Sequence, residues 1–282
     1  MQKPFFSIIV VSLNPGERLK KTLESIVSQT YSDYEVILKD GGSTDGSLSQ
    51  IKKQGFFEKY PKIRVIEEKD KSIYDGMNQA VTYVGGSYIQ FLNCGDYFYD
   101  NFVLEQVAKE ICMFQETIDN KEHETPVIYY GNQYNQLQNT VVYSAPQIND
   151  FTCYRNVPCH QVCFYDARLF RKRAYDLKYK VRADYEHFLH SIYEEKAMGV
   201  ALSIIVASYE GGGFSETREN RKKSALEHRE ITEKYLGKNK VFQYRMIMLL
   251  SLAPVRTWMA ENPTLSGFYN GLKSAIYRMK KK

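Results

Sequence analysis

The residues able to do chemistry sit where apolar runs stop. "YIQFL" breaks off into Asn93, Cys94, Gly95 and Asp96, which places a carboxylate behind a glycine at a strand tip. With the side-chain oxygen of Asn93, Asp96 offers the hard ligands that Mg²⁺ or Mn²⁺ takes together with substrate phosphates. A plain Asn-x-Gly-Asp turn is the structural alternative. "VILK" likewise runs into "DGGSTDG". There the glycines allow close backbone approach and Asp40 can accept hydrogen bonds from a base or ribose; equally, Asp40, Ser43 and Asp45 can cap a turn. Neither GxxxxGK[ST] nor GxGxxG is found in this loop, which disfavours an ATPase or a dehydrogenase.

Ser12, Leu13 and Asn14 follow the first apolar run and present polar atoms and N–H groups to an anion or base; taken alone, such a loop only turns the chain. In "DKSIYDGMN" Lys71 lies at a helix start and could meet a phosphate, while Asp70 and Ser72 read as N-cap residues. His187 and His190 in "EHFLH" stand three apart on a helix, but a zinc protease would read HExxH; they are expected to be structural or to face an acceptor. His123 and His228, in charged stretches, are expected at the solvated surface.

Alternating elements must position these loops. "FFSIIVVSLN" has the unbroken apolar character of a strand covered on both faces. "GERLKKTLESIVSQ" puts Leu19, Leu23, Ile26 and Val27 on one helical face. Strand-like "YEVIL", "IRVIEE" and "GSYIQFL" then alternate with helical "GSLSQIKKQG" and "SIYDGMNQAVTYV". A β-α-β-α-β-α-β series implies a Rossmann-like α/β architecture, a mostly parallel sheet with helices on both faces. Ligands of such sheets bind beyond the C-terminal strand ends, where all four polar loops fall. Further on, "NFVLEQVAKEICMF" reads as a helix and "VIYYGNQYNQLQNTVVYSAP" as a strand pair. "CHQVCFYDARLF", "RADYEHFLH" and "VALSIIVASY" read as strand, helix and strand.

A length of 282 residues suits one large domain with an appendage. From Glu216 onward the chain carries 15 Lys and Arg against 6 Asp and Glu, so the tail is basic and the body is not. Domains are expected at 1–215 and at 216–282, the second a basic helical C-terminal extension. The apolar run between Arg245 and Arg256 falls short of the ~20 residues that span a bilayer. It suits packing on the domain or on a partner, or lying on an anionic membrane surface. The 5 cysteines form no CxxC pair, which argues for reduced thiols rather than a disulfide framework or zinc site. With no apolar leader before the first strand, a cytoplasmic protein is expected, peripheral on the inner face of the cytoplasmic membrane.

"SIIVVSLNPGERLKKTLESIVSQTYSDYEVILKDGGSTDGS", "DKSIYDGMNQAV" and "GSYIQFLNCGD" together resemble the family-two inverting glycosyltransferases of GT-A fold. The resemblance is dense over about the first hundred residues and continues sparsely through "CHQVCFYDARLF" and "RADYEHFLH". It implies a metal-dependent hexosyltransferase-type enzyme that moves a sugar from a nucleotide-sugar, commonly UDP-linked, to a hydroxyl of a glycan or lipid-linked acceptor in cell-surface polysaccharide synthesis. It also implies that the first domain divides into a nucleotide-sugar-binding half, 1–100, and an acceptor half, 101–215. By the same resemblance Ser12, Asn14, Glu17 and Asp40 line the nucleoside pocket. Asp70, Lys71 and Asp75 border the ribose and diphosphate. Asp96 holds the divalent cation, Mg²⁺ or Mn²⁺, where relatives carry an Asp-x-Asp motif; Asn93 replaces one acid, and His160 in "CHQ" could compensate. Asp184 matches the general base, and "EGGGFSE" a loop closing over the diphosphate. Tyr154, Phe164, Tyr185 and Phe188 are either an acceptor platform or aromatic core.

Three other readings compete. A non-catalytic nucleotide-sugar or glycan-binding module would keep the fold without needing Asp96 and Asp184. A sugar-phosphate nucleotidyltransferase should open with a glycine-rich phosphate loop, which "SLNPGERL" is not. A nucleic-acid binder should show aromatic platforms beside the basic tail, and none is seen.

Overall fold

Strand β1 (Phe6–Ser12) is buried along its whole length, as an unbroken apolar run at the centre of a parallel sheet must be. In the computed structural model, which describes residues 3–118, 124–211 and 217–251, three strands join it. These are β2 (Tyr34–Asp40), β3 (Ile63–Glu67) and β4 (Tyr88–Phe91); β2 and β4 flank β1, β3 pairs with β2, and all run parallel. Helices α1 (Arg18–Val27), α2 (Ser47–Lys53), α3 (Phe56–Lys59) and α4 (Ile73–Val81) supply the crossovers. The β-α series read from periodicity is therefore present. Ser12 is in register with Asp40, and Asp40 with Glu67, so β1, β2 and β3 end flush, whereas β4 ends at Phe91 opposite Ile9; all four deliver their polar loops to one edge.

The remaining strands change direction. They are β5 (Tyr97–Phe98), β6 (Val127–Asn135), β7 (Thr140–Val142), β8 (Cys163–Asp166) and β9 (Met198–Tyr209), and the sheet order is β3-β2-β1-β4-β8-β6-β9-β5 with β7 beside β6. β8 lies antiparallel to both β4 and β6, whereas β6 and β9 are parallel. The sheet is thus parallel through its first four strands and mixed beyond them. α5 (Val103–Thr117), α6 (Asp150–Arg155), α7 (Ala167–Lys172) and α8 (Ala183–Tyr193) complete this half.

Phe6, Ile8 and Val10 share one core cluster with Leu19, Leu23 and Ile26 of α1, Leu48 and Ile51 of α2, and Val103 to Ile111 of α5. Each fully buried aliphatic contributes about 1.5–3 kcal/mol. Thr22, rather than Val27, completes the buried stripe of α1, because its hydroxyl donates to Asp96 O at 2.8 Å. Helix α4 packs against β1 and β2. Phe164, Tyr185 and Phe188 are core residues, and only Tyr154 of the four aromatics weighed as an acceptor platform is half-exposed.

The chain divides into Met1–Ile231 and Thr232–Lys282, and α9 (Arg218–Leu236) crosses that division. In the second unit α10 (Lys238–Leu250) exposes Phe242, Ile247 and Leu250. Among the described residues no helix is long and apolar enough to cross a membrane, and all five cysteines are free thiols. Residues 252–282, His123 and most of "EGGGFSE" lie outside the described residues.

Candidate functional site

The first two loops are stitched into one rim. Asn14 adopts a left-handed conformation (φ 48°) that asparagine tolerates. Its side-chain oxygen accepts from Thr44 N at 2.8 Å, and its own N–H donates to Ser43 Oγ at 2.8 Å. Asp40, 2% exposed, accepts from Ser12 Oγ (3.1 Å) and Ser43 Oγ (2.6 Å) through Oδ1, and from the Gly42 and Ser43 amides through Oδ2. The carboxylate therefore braces the loop. Glu17 precedes α1, exposed, and makes no capping bond.

The third loop is organised around Asp70. Lys39, fully buried at the end of β2, donates to Asp70 Oδ2 at 3.1 Å, to Asp40 O at 3.1 Å and to Glu68 O. The Asp70 carboxylate is seated between two glycines: a Cβ on Gly41 would lie 2.6 Å from Oδ2 and one on Gly76 2.9 Å. Asp75 faces back to accept the Lys71 N–H at 2.8 Å, and Ser72 caps α4. The Lys71 side chain is exposed.

The fourth loop meets the second half of the chain. Gly95 takes φ 105°, which a side chain rarely adopts. Asp96, 5% exposed, accepts from Gln161 Nε2 at 2.9 Å and Glu210 N at 3.3 Å. Burial, partly offset by Gln161, raises its pKa. Asn93 Nδ2 lies 2.9 Å from His160 Nε2, and Asn93 Oδ1 is buried with no partner. His160 Nδ1 in turn lies 2.9 Å from Asp184 Oδ2, and the Tyr74 hydroxyl donates to Asp184 Oδ1 at 2.8 Å.

Asp184 is thus held on both oxygens, on the first turn of α8. Burial alone would raise its pKa; the His160 contact and the Tyr74 hydroxyl outweigh that and hold the carboxyl below its usual range. Burial and the adjacent Asp184 push the Tyr74 phenol far up, so it remains a donor. Among the described residues no three His, Cys, Asp or Glu side chains gather into a metal-binding group.

Residues 7–175 match the family model for glycosyl transferase family 2. The chain belongs to that family. This glycosyltransferase is 30% identical over 262 residues to the PGL/p-HBAD biosynthesis glycosyltransferase of Mycobacterium tuberculosis, covering 92% of each chain. It is also 34% identical to an Escherichia coli chondroitin synthase, over 39% of this chain and 15% of the synthase. Its fold is similar to that of S. aureus TarS 1-349 in complex with UDP-GlcNAc (TM-score 0.61, 17% identity, 82% of this chain and 71% of that one). A mannosyltransferase from Pyrobaculum calidifontis in complex with GDP-Man and Mn²⁺ is similar too (TM-score 0.62, 13% identity, 96% and 84%). The α/β fold is accordingly of GT-A type.

Several residues that hold this glycosyltransferase's site together carry no local signature. Glu227 on α9 accepts from the Lys180, Val181 and Arg182 amides at 2.8, 3.0 and 2.9 Å, just before α8. Gln161 could have been noticed only as the polar neighbour of His160. Lys39 was visible as a lone cation in a buried strand. His187 is core: it stacks on Phe170 at 4.0 Å, its Nε2 meets Arg173 O, and burial lowers its pKa to about 4. His228 is not simply solvated, since it lies 2.8 Å from Tyr154 O and stacks on Tyr185.

Proposed function

We propose that this glycosyltransferase moves a hexose, with inversion, from a UDP-sugar to a hydroxyl of a glycan or lipid-linked acceptor, in cell-surface polysaccharide synthesis. The observation that carries the reading is the placement of Asp184. Its carboxylate, held below its ordinary pKa, stands one histidine away from the Asn93–Asp96 turn. A base that stays ionised is available to take the acceptor proton as the new bond forms, a step worth ~10²- to 10⁴-fold. A single displacement from the face opposite the leaving diphosphate inverts the anomeric centre.

On the donor side, Ser12, Asn14, Glu17 and Asp40 take the nucleoside. Asp40 does so chiefly by shaping the loop, since both its oxygens are engaged. Asp70, Lys71 and Asp75 border the ribose and diphosphate, with the exposed Lys71 ammonium the group free to reach phosphate. The residues after β4 suit a divalent cation: Asp96 is a carboxylate whose burial would be relieved by a positive charge, and Asn93 Oδ1 is a buried oxygen without a partner. Such a cation would neutralise the departing diphosphate. UDP-GlcNAc and UDP complexes of TarS and the GDP-Man complex of the Pyrobaculum enzyme support a nucleotide-sugar donor, and the last also supports Mn²⁺. Exposed apolar groups of α10 beside Lys238, Lys240 and Arg245 support attachment to an anionic membrane surface.

The test is a panel of UDP-, GDP- and dTDP-sugars with Mn²⁺, reading nucleoside-diphosphate release by the wild type and by Asp96→Ala. Metal-dependent release from one donor, lost in the variant, is expected. If no donor is consumed and calorimetry finds no binding of UDP with Mn²⁺, the reading is wrong.

A further inference from the structure

His160 occupies an unusual position for a residue expected beside a cation. It is 9% exposed and lies in the 3-10 turn His160–Val162 that leads into β8, and both of its nitrogens are taken by protein side chains. Asn93 Nδ2 donates to Nε2 at 2.9 Å, which leaves Nδ1 to carry the proton and donate to Asp184 Oδ2 at 2.9 Å. The turn itself is anchored: Gln90 Nε2, from β4, donates to Gln161 O at 2.7 Å, and Gln161 Nε2 donates to Asp96 Oδ2. Two consecutive residues thus reach opposite ways, one to the base and one to the carboxylate after β4.

We propose that His160 is a positioning residue of the transfer step: it aims Asp184 through Nδ1, and Asn93 fixes it in the tautomer that can do so. Tyr74, which meets both Asp184 Oδ1 and Val181 O, fixes the second oxygen. The carboxylate is left one orientation in which an unused lone pair can meet an acceptor hydroxyl. Asn93 thereby joins the donor side of the sheet to the base. This inference rests on the glycosyl-transfer reading of the same site.

The two ring nitrogens can be tested separately, because an asparagine amide reaches the place of Nδ1 and a glutamine amide that of Nε2. With wild-type, His160→Asn and His160→Gln proteins at saturating donor and Mn²⁺, H160N should keep transfer within about threefold. H160Q should lose about 10- to 100-fold in kcat, part of what a general base supplies, with donor KM unchanged. Binding of Mn²⁺ in the presence of UDP, followed by paramagnetic resonance, should match wild type in both. Wild-type kcat in H160Q would overturn the proposal. So would the reverse pattern, an inactive H160N with weakened Mn²⁺ binding and a working H160Q, which would make Nε2 a metal ligand. Should a variant fail to fold, ring ¹⁵N spectra of the wild-type chain decide: a protonated Nδ1 is expected, and a bare Nδ1 overturns the proposal. A wild type that turns over no donor removes the transfer reading as well, whereas an active wild type with an equally active H160Q removes only this inference.

Discussion

Lys39 Nζ lies 3.1 Å from Asp70 Oδ2, and the lysine has no exposure to solvent. A buried cation of this kind is stable only while its partners remain, and all three of its donors are used. Lys39→Met should cost about 3–5 kcal/mol in urea unfolding, because it strands the Asp70 carboxylate. The double change Lys39→Met with Asp70→Asn should cost less than that single change, since no uncompensated charge is left. A single variant as stable as wild type would show that water reaches this pair.

The seat of Asp70 makes a second prediction. Gly76 is a helical glycine, so alanine should help α4 by about 1 kcal/mol; yet its Cβ would stand 2.9 Å from an oxygen that Lys39 holds in place. Gly76→Ala should therefore be destabilised by about 1–3 kcal/mol and should bind UDP more weakly by calorimetry. Stabilisation instead would mean that Asp70 moves aside freely.

How far the sequence foretold this arrangement depends on the distance over which partners meet. The β-α series was legible because a buried strand and an amphipathic helix each declare themselves within ten residues. The antiparallel insertion of β8 was not, since a four-residue strand carries no sign of its neighbours. Asp40, Asp70, Asp96 and Asp184 stood out at loop and helix starts. What braces them did not: Gln161 meets Asp96 across 65 positions and Tyr74 meets Asp184 across 110. The aromatic side chains of Phe164 and Phe188 look alike in sequence whether they stack on a sugar or fill a core, and burial places both in the core.

Acid should weaken the fold through His187. Burial lowers its pKa from 6.5 to about 4 in the folded chain, so between those values the unfolded chain binds the extra proton and stability falls as pH falls. Going from pH 7 to pH 5 should remove about 2 kcal/mol from this residue alone. His187→Phe, which keeps the stack on Phe170, should show a loss smaller by that amount in urea titrations at the two pH values. An unchanged pH dependence would assign the acid sensitivity to other groups.

Glu227 ties α9 to the segment preceding the base. Three charge-assisted bonds end on its one carboxylate, so their contributions do not simply add. Glu227→Ala should lose stability by about 2–4 kcal/mol, and kcat should fall with little change in donor KM, since Asp184 begins the helix these amides precede. Equal loss of donor affinity and kcat would point instead to a general loosening of the domain.

The most direct test of the account is Asp184→Asn, assayed for sugar transfer alongside calorimetric binding of the donor nucleotide. Asparagine preserves the size of the side chain and can still accept from Tyr74, but it cannot take a proton. Transfer should fall by about 10²-fold or more while nucleotide binding stays at the wild-type level. Transfer near the wild-type rate by a folded Asp184→Asn protein would contradict the account, because the proton of the acceptor would then leave by another group.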